Sequence, residues 1–318
     1  MEQTKKPARS VLVWMLLILT FALGVSCTPQ DGTATGEETT QTEEQGTDPN
    51  GGTGTGGGST TTPTSPEAAG YYIDQIKSIA SSSTCASYSW ASRGRAPAGY
   101  IKGMVLTYAR SYCRYKKNQV SPTALVDILT RGAGSSSTDA LALYSSTFSN
   151  LGLVVNSAGE GPVRSLYTLG IGLGMRESSG KYCEGRDMSA SNTSASTAEA
   201  GIFQTSYDSM SASAELSKLY AEYKADTSKC FLDTFKEGVS SCGNSSIAGS
   251  GAGAEYQAFN KSCPSFAAEY AMVMLRVRRN HYGPINRQEA EVKTQCNQML
   301  KSVQDFIDND VYACDEIN

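Results

Sequence analysis

Apolar side chains recur every three or four residues through most of the chain after residue 70. Two of the clearest runs lie at residues 72–79 and 101–112. This spacing places the apolar positions on one face of a helix, and that face is usually buried. The pattern predicts a mainly α-helical fold for residues 69–318.

Helix-capping and helix-breaking residues divide this region into further elements. Three glycines, Gly170, Gly172 and Gly174, weaken a helix on propensity grounds, so this run is expected either to pack tightly or to be partly extended. The polar residues 181–199 predict a long loop or a small β-hairpin. The expected helix boundaries lie at Ser121-Pro122, Gly132, Gly152, Pro162, Ser206, Pro264 and Gly283-Pro284, and at a capping box of Asn286 with Glu289.

Residues 1–26 have the pattern of an export signal, with basic residues before an apolar run and small residues after it. The segment that ends at Cys27 is similar to a bacterial lipobox, in which the cysteine is lipidated. A lipoprotein anchored in the cell envelope, with the outer membrane as the expected site, is the first interpretation. Soluble export and a retained membrane span are the alternatives.

Residues 27–68 are rich in Thr, Gly and Glu and have almost no apolar side chain. Such a segment cannot bury enough surface to offset the entropy of ordering, so a disordered linker is expected. Residues 27–67 contain seven acidic side chains and no basic one, while the whole chain has a net charge of −4. The remainder is therefore nearly neutral, which gives no indication of a nucleic-acid partner.

Eight cysteines remain besides Cys27. An even number in an exported chain predicts up to four disulfides, with 105 possible pairings. No two of the cysteines have the spacing of a zinc site, so neither a metal nor a cofactor is expected. The eight are Cys85, Cys113, Cys183, Cys230, Cys242, Cys263, Cys296 and Cys314.

Glu177 lies where an apolar run gives way to small and polar residues, in Gly174-Met175-Arg176-Glu177-Ser178-Ser179-Gly180. The pattern predicts a carboxyl group at a helix end that faces a loop. Burial beside apolar residues raises the pKa of a carboxyl group, and a protonated acid can protonate the leaving oxygen of a glycosidic bond. We expect Glu177 to act as a general acid. A solvent-exposed glutamate beside a turn is the alternative.

Three motifs in order resemble the catalytic core of goose-type lysozymes and soluble lytic transglycosylases. They are Arg-Glu-Ser-Ser-Gly at 176–180, Gly-Arg-Asp at 185–187 and Gly-Ile-Phe-Gln at 201–204. The resemblance covers roughly residues 160–285 and implies a lysozyme-like helical domain. The late Ala-Tyr-Asn-Ala-Gly-like element of transglycosylases is absent, and Tyr270 or Tyr282-Gly283 are the expected replacements.

The resemblance also implies the roles of individual residues. Asp187 is the expected second carboxylate, with Glu184, Glu199 and Asp208 as weaker candidates. The only histidine, His281, is expected at a helix end without a catalytic role. The expected substrate-binding residues are Ser178, Ser179, Gly201, Phe203, Gln204, Tyr270 and Tyr282.

The expected function is cleavage of the glycan strand of peptidoglycan by a monomer. Water attack gives a muramidase, whereas internal attack by the muramic 6-hydroxyl gives a lytic transglycosylase. A chitosanase-like activity on a related β-1,4-linked amino-sugar polymer is a third possibility. The alternative from another class is a non-catalytic lipoprotein of the envelope that binds glycan.

Overall fold

The computed structural model describes residues 69–310 and 312–318. The predicted signal peptide at 1–26, the lipidated Cys27 and the linker at 27–68 lie outside the described residues. The described part is mainly helical, as predicted.

Helices of four to twenty residues make up most of this part. In chain order they are α1 Tyr71–Ser82, α2 Thr84–Ser87, α3 Ala98–Lys117, α4 Ala124–Thr130, α5 Ala140–Leu143, α6 Ser145–Asn150, α7 Glu160–Ser178, α8 Ala214–Ala225, α9 Leu232–Lys236, α10 Ala252–Ser262, α11 Pro264–Val277, α12 Gly283–Asn286, α13 Thr294–Asp308 and α14 Ala313–Ile317. Single 3-10 turns occupy Tyr207–Ala212, Thr227–Cys230 and Arg279–His281. A two-stranded antiparallel hairpin pairs β1 Ser89–Trp90 with β2 Gly94–Arg95.

The helix α3 is the centre of the molecule and packs against α1, α7, α11 and α13. It is buried from Tyr100 to Cys113 except at Lys102. The helix α11 is buried along nearly its whole length. A helix that is buried all round belongs to the interior of a larger domain, so α3 and α11 form the core on which the other helices pack.

Gly172 and Gly174 of α7 permit close approach to neighbouring segments, which confirms the tight-packing alternative. A Cβ atom on Gly172 would lie 2.2 Å from the backbone oxygen of Glu291. A Cβ atom on Gly174 would lie 2.2 Å from the hydroxyl of Tyr100. No side chain fits at these distances, so the low helix propensity of glycine is offset by packing that only glycine allows.

Several helix boundaries differ from the predicted ones. Thr123, not Ser121, caps α4, because its hydroxyl accepts a hydrogen bond from the amide of Val126. Ser213 caps α8, and Ser206 precedes a 3-10 turn instead. A Ser or Thr is common before a helix, and only the chain path decides which one caps it.

The predicted capping box at Asn286 and Glu289 is wrong. The last long helix, α13, begins at Thr294, and Asn286 is the final residue of the short α12. Glu289 instead forms ion pairs with Arg176 and Arg287. The side chain that resembled a cap therefore joins α7 to the segment between α12 and α13.

The segment 181–199 is an irregular loop, and a single bridge between Ala200 and Thr205 follows it. The hairpin lies elsewhere, at residues 89–95, where Ser92 and Gly94 adopt positive φ angles. None of the helices within the described ranges is long and apolar enough to cross a membrane.

All eight cysteines pair, as the even count predicted. The Cα atoms of the pairs lie 4.4 to 5.8 Å apart, the separation that a disulfide requires. Two of the pairs connect elements more than 200 residues apart in sequence. The pairs are Cys85–Cys296, Cys113–Cys314, Cys183–Cys242 and Cys230–Cys263.

Candidate functional site

Glu177 lies in the last turn of α7, where the chain leaves the helix. Ser179 follows in the left-handed conformation, with φ 56°, and Gly180 has φ 73°. The amides of Ser179 and Gly180 turn back to the carbonyls of Met175 and Gly174 and close the helix. This sharp ending places Glu177 at the helix end, beside the loop that follows, as the sequence predicted.

The carboxyl group of Glu177 is partly accessible to solvent and largely surrounded by protein. Burial raises its pKa to about 8, and the negative charge of Glu199 adds to this effect. Within the described residues, the carboxyl group has neither a hydrogen bond nor an ion pair. It is therefore protonated at neutral pH and free to donate its proton.

After burial, the charge of Glu199 is the next largest cause of the raised pKa of Glu177. The pKa of Glu199 itself is raised to about 6, mainly by burial, while the Asn192 amide opposes this shift. The Nε2 atom of His281 lies 3.8 Å from its Oε1 atom. Glu177 and Glu199 thus form a pair of neighbouring carboxyl groups with separated pKa values, as enzymes require of an acid and a base.

Asp187, the expected second carboxylate, is exposed on the loop after α7. Its Oδ1 atom accepts hydrogen bonds of 2.8 and 2.7 Å from the amide and the hydroxyl of Ser189, and these bonds lower its pKa. Its charge raises the pKa of Glu199. Asp187 is therefore an exposed carboxylate that acts on Glu199 through its charge.

A tight turn at residues 200–205 carries the Gly-Ile-Phe-Gln motif. Gly201 has φ 77°, and a Cβ atom there would lie 2.7 Å from Asn260 Oδ1, so the turn requires glycine. The Gln204 side chain donates a 2.9 Å hydrogen bond to the Gly201 carbonyl. The backbone carbonyl oxygen of Gln204 lies 3.2 Å from His281 Nε2. In this structure Gln204 holds the turn together.

Several expected substrate-binding side chains are buried. Phe203 and Tyr270 have no exposed surface, and the Tyr270 hydroxyl bonds Ser209 at 2.7 Å. The hydroxyl of Ser178 donates to the Gly174 carbonyl at 3.2 Å. These groups support the site from the interior, and their roles in substrate binding remain predictions.

Tyr282 lies close to the proposed acid. Its ring is buried, and burial followed by the charge of Glu177 raises the pKa of its hydroxyl. That hydroxyl is buried without a hydrogen-bond partner in the described part of the chain. A neutral donor without a partner beside Glu177 is suited to hold the acid from the interior.

The charges of three arginines oppose the rise in the pKa of Glu177. They are Arg287, Arg93 and Arg176. Arg93 donates a 2.6 Å hydrogen bond to the carbonyl of Arg176. Arg176 and Arg287 both pair with Glu289, which lowers the pKa of Glu289 to about 2. Arg93 and Arg287 are far from Glu177 in sequence and no local motif marked them, whereas Arg176 belongs to the motif at 176–180.

No cluster of three potential ligands that could hold a metal ion occurs in residues 69–310 and 312–318. No protein-family model, no curated protein and no solved structure matches this chain. The resemblance to lysozyme-like enzymes therefore depends on its three sequence motifs alone.

Proposed function

We propose that this chain is a glycosidase that cleaves the glycan strand of peptidoglycan, with Glu177 as the general acid. The observation that carries the proposal is the raised pKa of Glu177, which keeps its proton at neutral pH. Protonation of the leaving oxygen is the step for which a glycosidase needs such a carboxylic acid. Partial exposure at the end of α7 gives a polymer access to this group.

Glu199 is the second carboxylate in this proposal, in place of Asp187. Its charge acts directly on Glu177, whereas that of Asp187 acts on Glu199. When ionised, Glu199 can activate water or stabilise the positive charge that develops on the sugar. Tyr282 would then hold the acid from the interior by its buried hydroxyl.

The domain that we propose is lysozyme-like, and the chain acts outside the cytoplasm. Four disulfides fit an oxidising, exported environment. A lipid anchor at Cys27 would keep the domain at the cell envelope, within reach of the wall. The mainly helical fold and the motif order at 176–204 support the assignment.

Digestion of purified sacculi tests the proposal. Glu177→Gln keeps the shape of the side chain but cannot donate the proton, so the rate of glycan cleavage should fall about 10²- to 10⁴-fold. Glu255→Gln, on an exposed glutamate of α10, is the matched control and should keep the full rate. Full activity of the Glu177→Gln protein would exclude Glu177 as the general acid, and absence of cleavage by the unchanged protein would leave only a glycan-binding scaffold.

Mass spectrometry of the released fragments distinguishes the two forms of the reaction. A muramidase adds one water per cut and leaves a reducing end. A transglycosylase leaves an anhydro end that is lighter by that water. Because the proposal gives Glu199 the activation of water, we expect the hydrolysed product.

A further inference from the structure

A polar cavity of about 330 Å³ opens beside the candidate site. Its volume lies at the lower end of the roughly 300–1,000 Å³ that ligand sites occupy, which suits a short segment of a ligand. No Tyr, Phe or Trp side chain lines it. The lining residues are Ser206, Asp208, Ser209, Ser211, Arg278, Asn280 and His281.

The cavity is continuous with the site through His281. The Nε2 atom of His281 lies 3.2 Å from the carbonyl oxygen of Gln204 and 3.8 Å from Glu199 Oε1. Ser206 directly follows the turn at 200–205. A ligand in the cavity would therefore lie next to Glu199, on the side where the turn ends.

Two opposite charges in the lining are available to a ligand. Asp208 and Arg278 are both exposed and form no ion pair with each other. In the part of the chain that the structure describes, neither charged group makes a side-chain hydrogen bond or an ion pair.

The backbone around both charges is fixed. The amide of Asp208 donates a 3.0 Å bond to the Ser196 carbonyl, and its carbonyl accepts a 2.8 Å bond from the Ser211 hydroxyl. Arg278 follows α11 directly, and its amide donates a 2.7 Å bond to Met274. The cavity thus presents an anion and a cation on a rigid frame before any ligand arrives.

We propose that this cavity binds a short peptide that carries both a free carboxylate and a free ammonium group. Arg278 would bind the carboxylate and Asp208 the ammonium. The stem peptide attached to the glycan strand of peptidoglycan has this chemistry, so the inference rests on the proposed function and extends it. A sugar ring fits less well, because the lining offers no Tyr, Phe or Trp face for stacking and only the partly buried ring of His281.

The test is direct binding of three synthetic peptides to the full chain, measured by calorimetry. The first is N-acetyl-alanyl-isoglutamyl-diaminopimelic acid, with its carboxylates free and with the diaminopimelyl amine as its single ammonium group. The second has the diaminopimelyl carboxylates amidated, and the third has the ammonium acetylated. A chitin tetrasaccharide serves as the sugar probe. We expect the unmodified peptide to bind at least about tenfold more tightly than either modified peptide.

Two variants then assign each charge to its partner. Arg278→Gln should weaken the unmodified peptide about tenfold and remove the preference over the amidated peptide. Asp208→Asn should remove the preference over the acetylated peptide. Lys301→Gln and Asp305→Asn, an exposed pair on α13 outside the cavity, are the matched controls and should change nothing.

Binding does not require catalysis, so Glu177→Gln should bind the peptide unchanged even if the glycosidase proposal fails. The inference would be overturned if the unmodified peptide did not bind at 10 mM, a concentration that corresponds to a binding free energy on the order of 2–3 kcal/mol. The inference would also be overturned if Arg278→Gln weakened the binding of all three peptides equally. Tight binding of the tetrasaccharide would overturn it too, if Arg278→Gln or Asp208→Asn weakened that binding.

Discussion

Glu177 and Glu199 carry the same carboxyl group, but their surroundings raise its pKa by different amounts. Burial raises the pKa of Glu177 to about 8 and that of Glu199 to about 6. Between these two values, Glu177 holds its proton and Glu199 has lost its own. This is the combination of acid and base that hydrolysis of a glycosidic bond requires.

A bell-shaped pH profile follows for kcat/KM. Activity should rise as pH passes about 6, where Glu199 ionises, and fall above about 8, where Glu177 loses its proton. The maximum is expected near neutral pH, and the two limbs belong to the interacting pair. Glycan cleavage measured from pH 4 to 10 gives the profile.

Two variants identify the carboxylate of the acidic limb. Glu199→Gln should remove that limb and lower the maximal rate, whereas Asp187→Asn should leave the limb near pH 6. A limb that disappears with Asp187→Asn and persists with Glu199→Gln would restore Asp187 as the second carboxylate.

The position of Glu177 at a helix end was predictable from sequence because its environment is local, at the junction of an apolar run and a polar loop. The role of Glu199 depends on a loop and a turn that bring residue 199 back to the end of α7. Arg93 and Arg287 come from still more distant segments, and Phe203 and Tyr270 pack into the core. Spacing along a chain carries no information about such approaches.

At the scale of elements, α7 supports the site. It is the only glycine-rich helix among the described elements, and Gly172 packs against the backbone at Glu291. That contact holds the segment between α12 and α13, which includes Arg287 and Glu289. The existence of the long helices was predictable from apolar spacing. Their ends were not, because caps such as Thr123 and Ser213 are selected by tertiary contacts.

Gly172→Ala tests this packing. The added Cβ atom would lie 2.2 Å from a backbone oxygen that has little room to move, so the variant should lose about 1–3 kcal/mol of unfolding free energy. Gly170→Ala in the same helix is the control. Its Cβ atom meets the flexible end of Met272, and alanine gains about 1 kcal/mol in helix propensity.

Urea denaturation of both variants measures the difference. Gly170→Ala should stay close to the parent protein. Equal stability of the Gly172→Ala protein would mean that α7 does not depend on close approach at that position.

At the scale of the whole described region, a helical core is connected by four disulfides, three of which are buried. Cys183 and Cys242 are only partly buried. Their bond joins the loop after α7 to the loop before α10. The Glu184 carbonyl on the first loop accepts a 2.7 Å hydrogen bond from the Gly201 amide, so this disulfide supports the turn at 200–205.

Mild reduction should therefore cleave Cys183–Cys242 before the other three bonds. Exchange requires that a thiolate reach a sulfur atom, and the buried pairs offer no such access. Alkylation after graded dithiothreitol treatment, followed by peptide mass spectrometry, gives the order. Earlier labelling of Cys85–Cys296 or Cys113–Cys314 would contradict this packing of the core.

The central claim is that Glu177 is still protonated at neutral pH in the folded chain. The most direct measurement is a carbon-13 NMR titration of side-chain carboxyl groups in the full chain, with Glu177→Gln used to assign the signal. The expected pKa is about 8, with a second, coupled step near 6 from Glu199. A value near 4.5, that of an ordinary glutamate, would contradict the account.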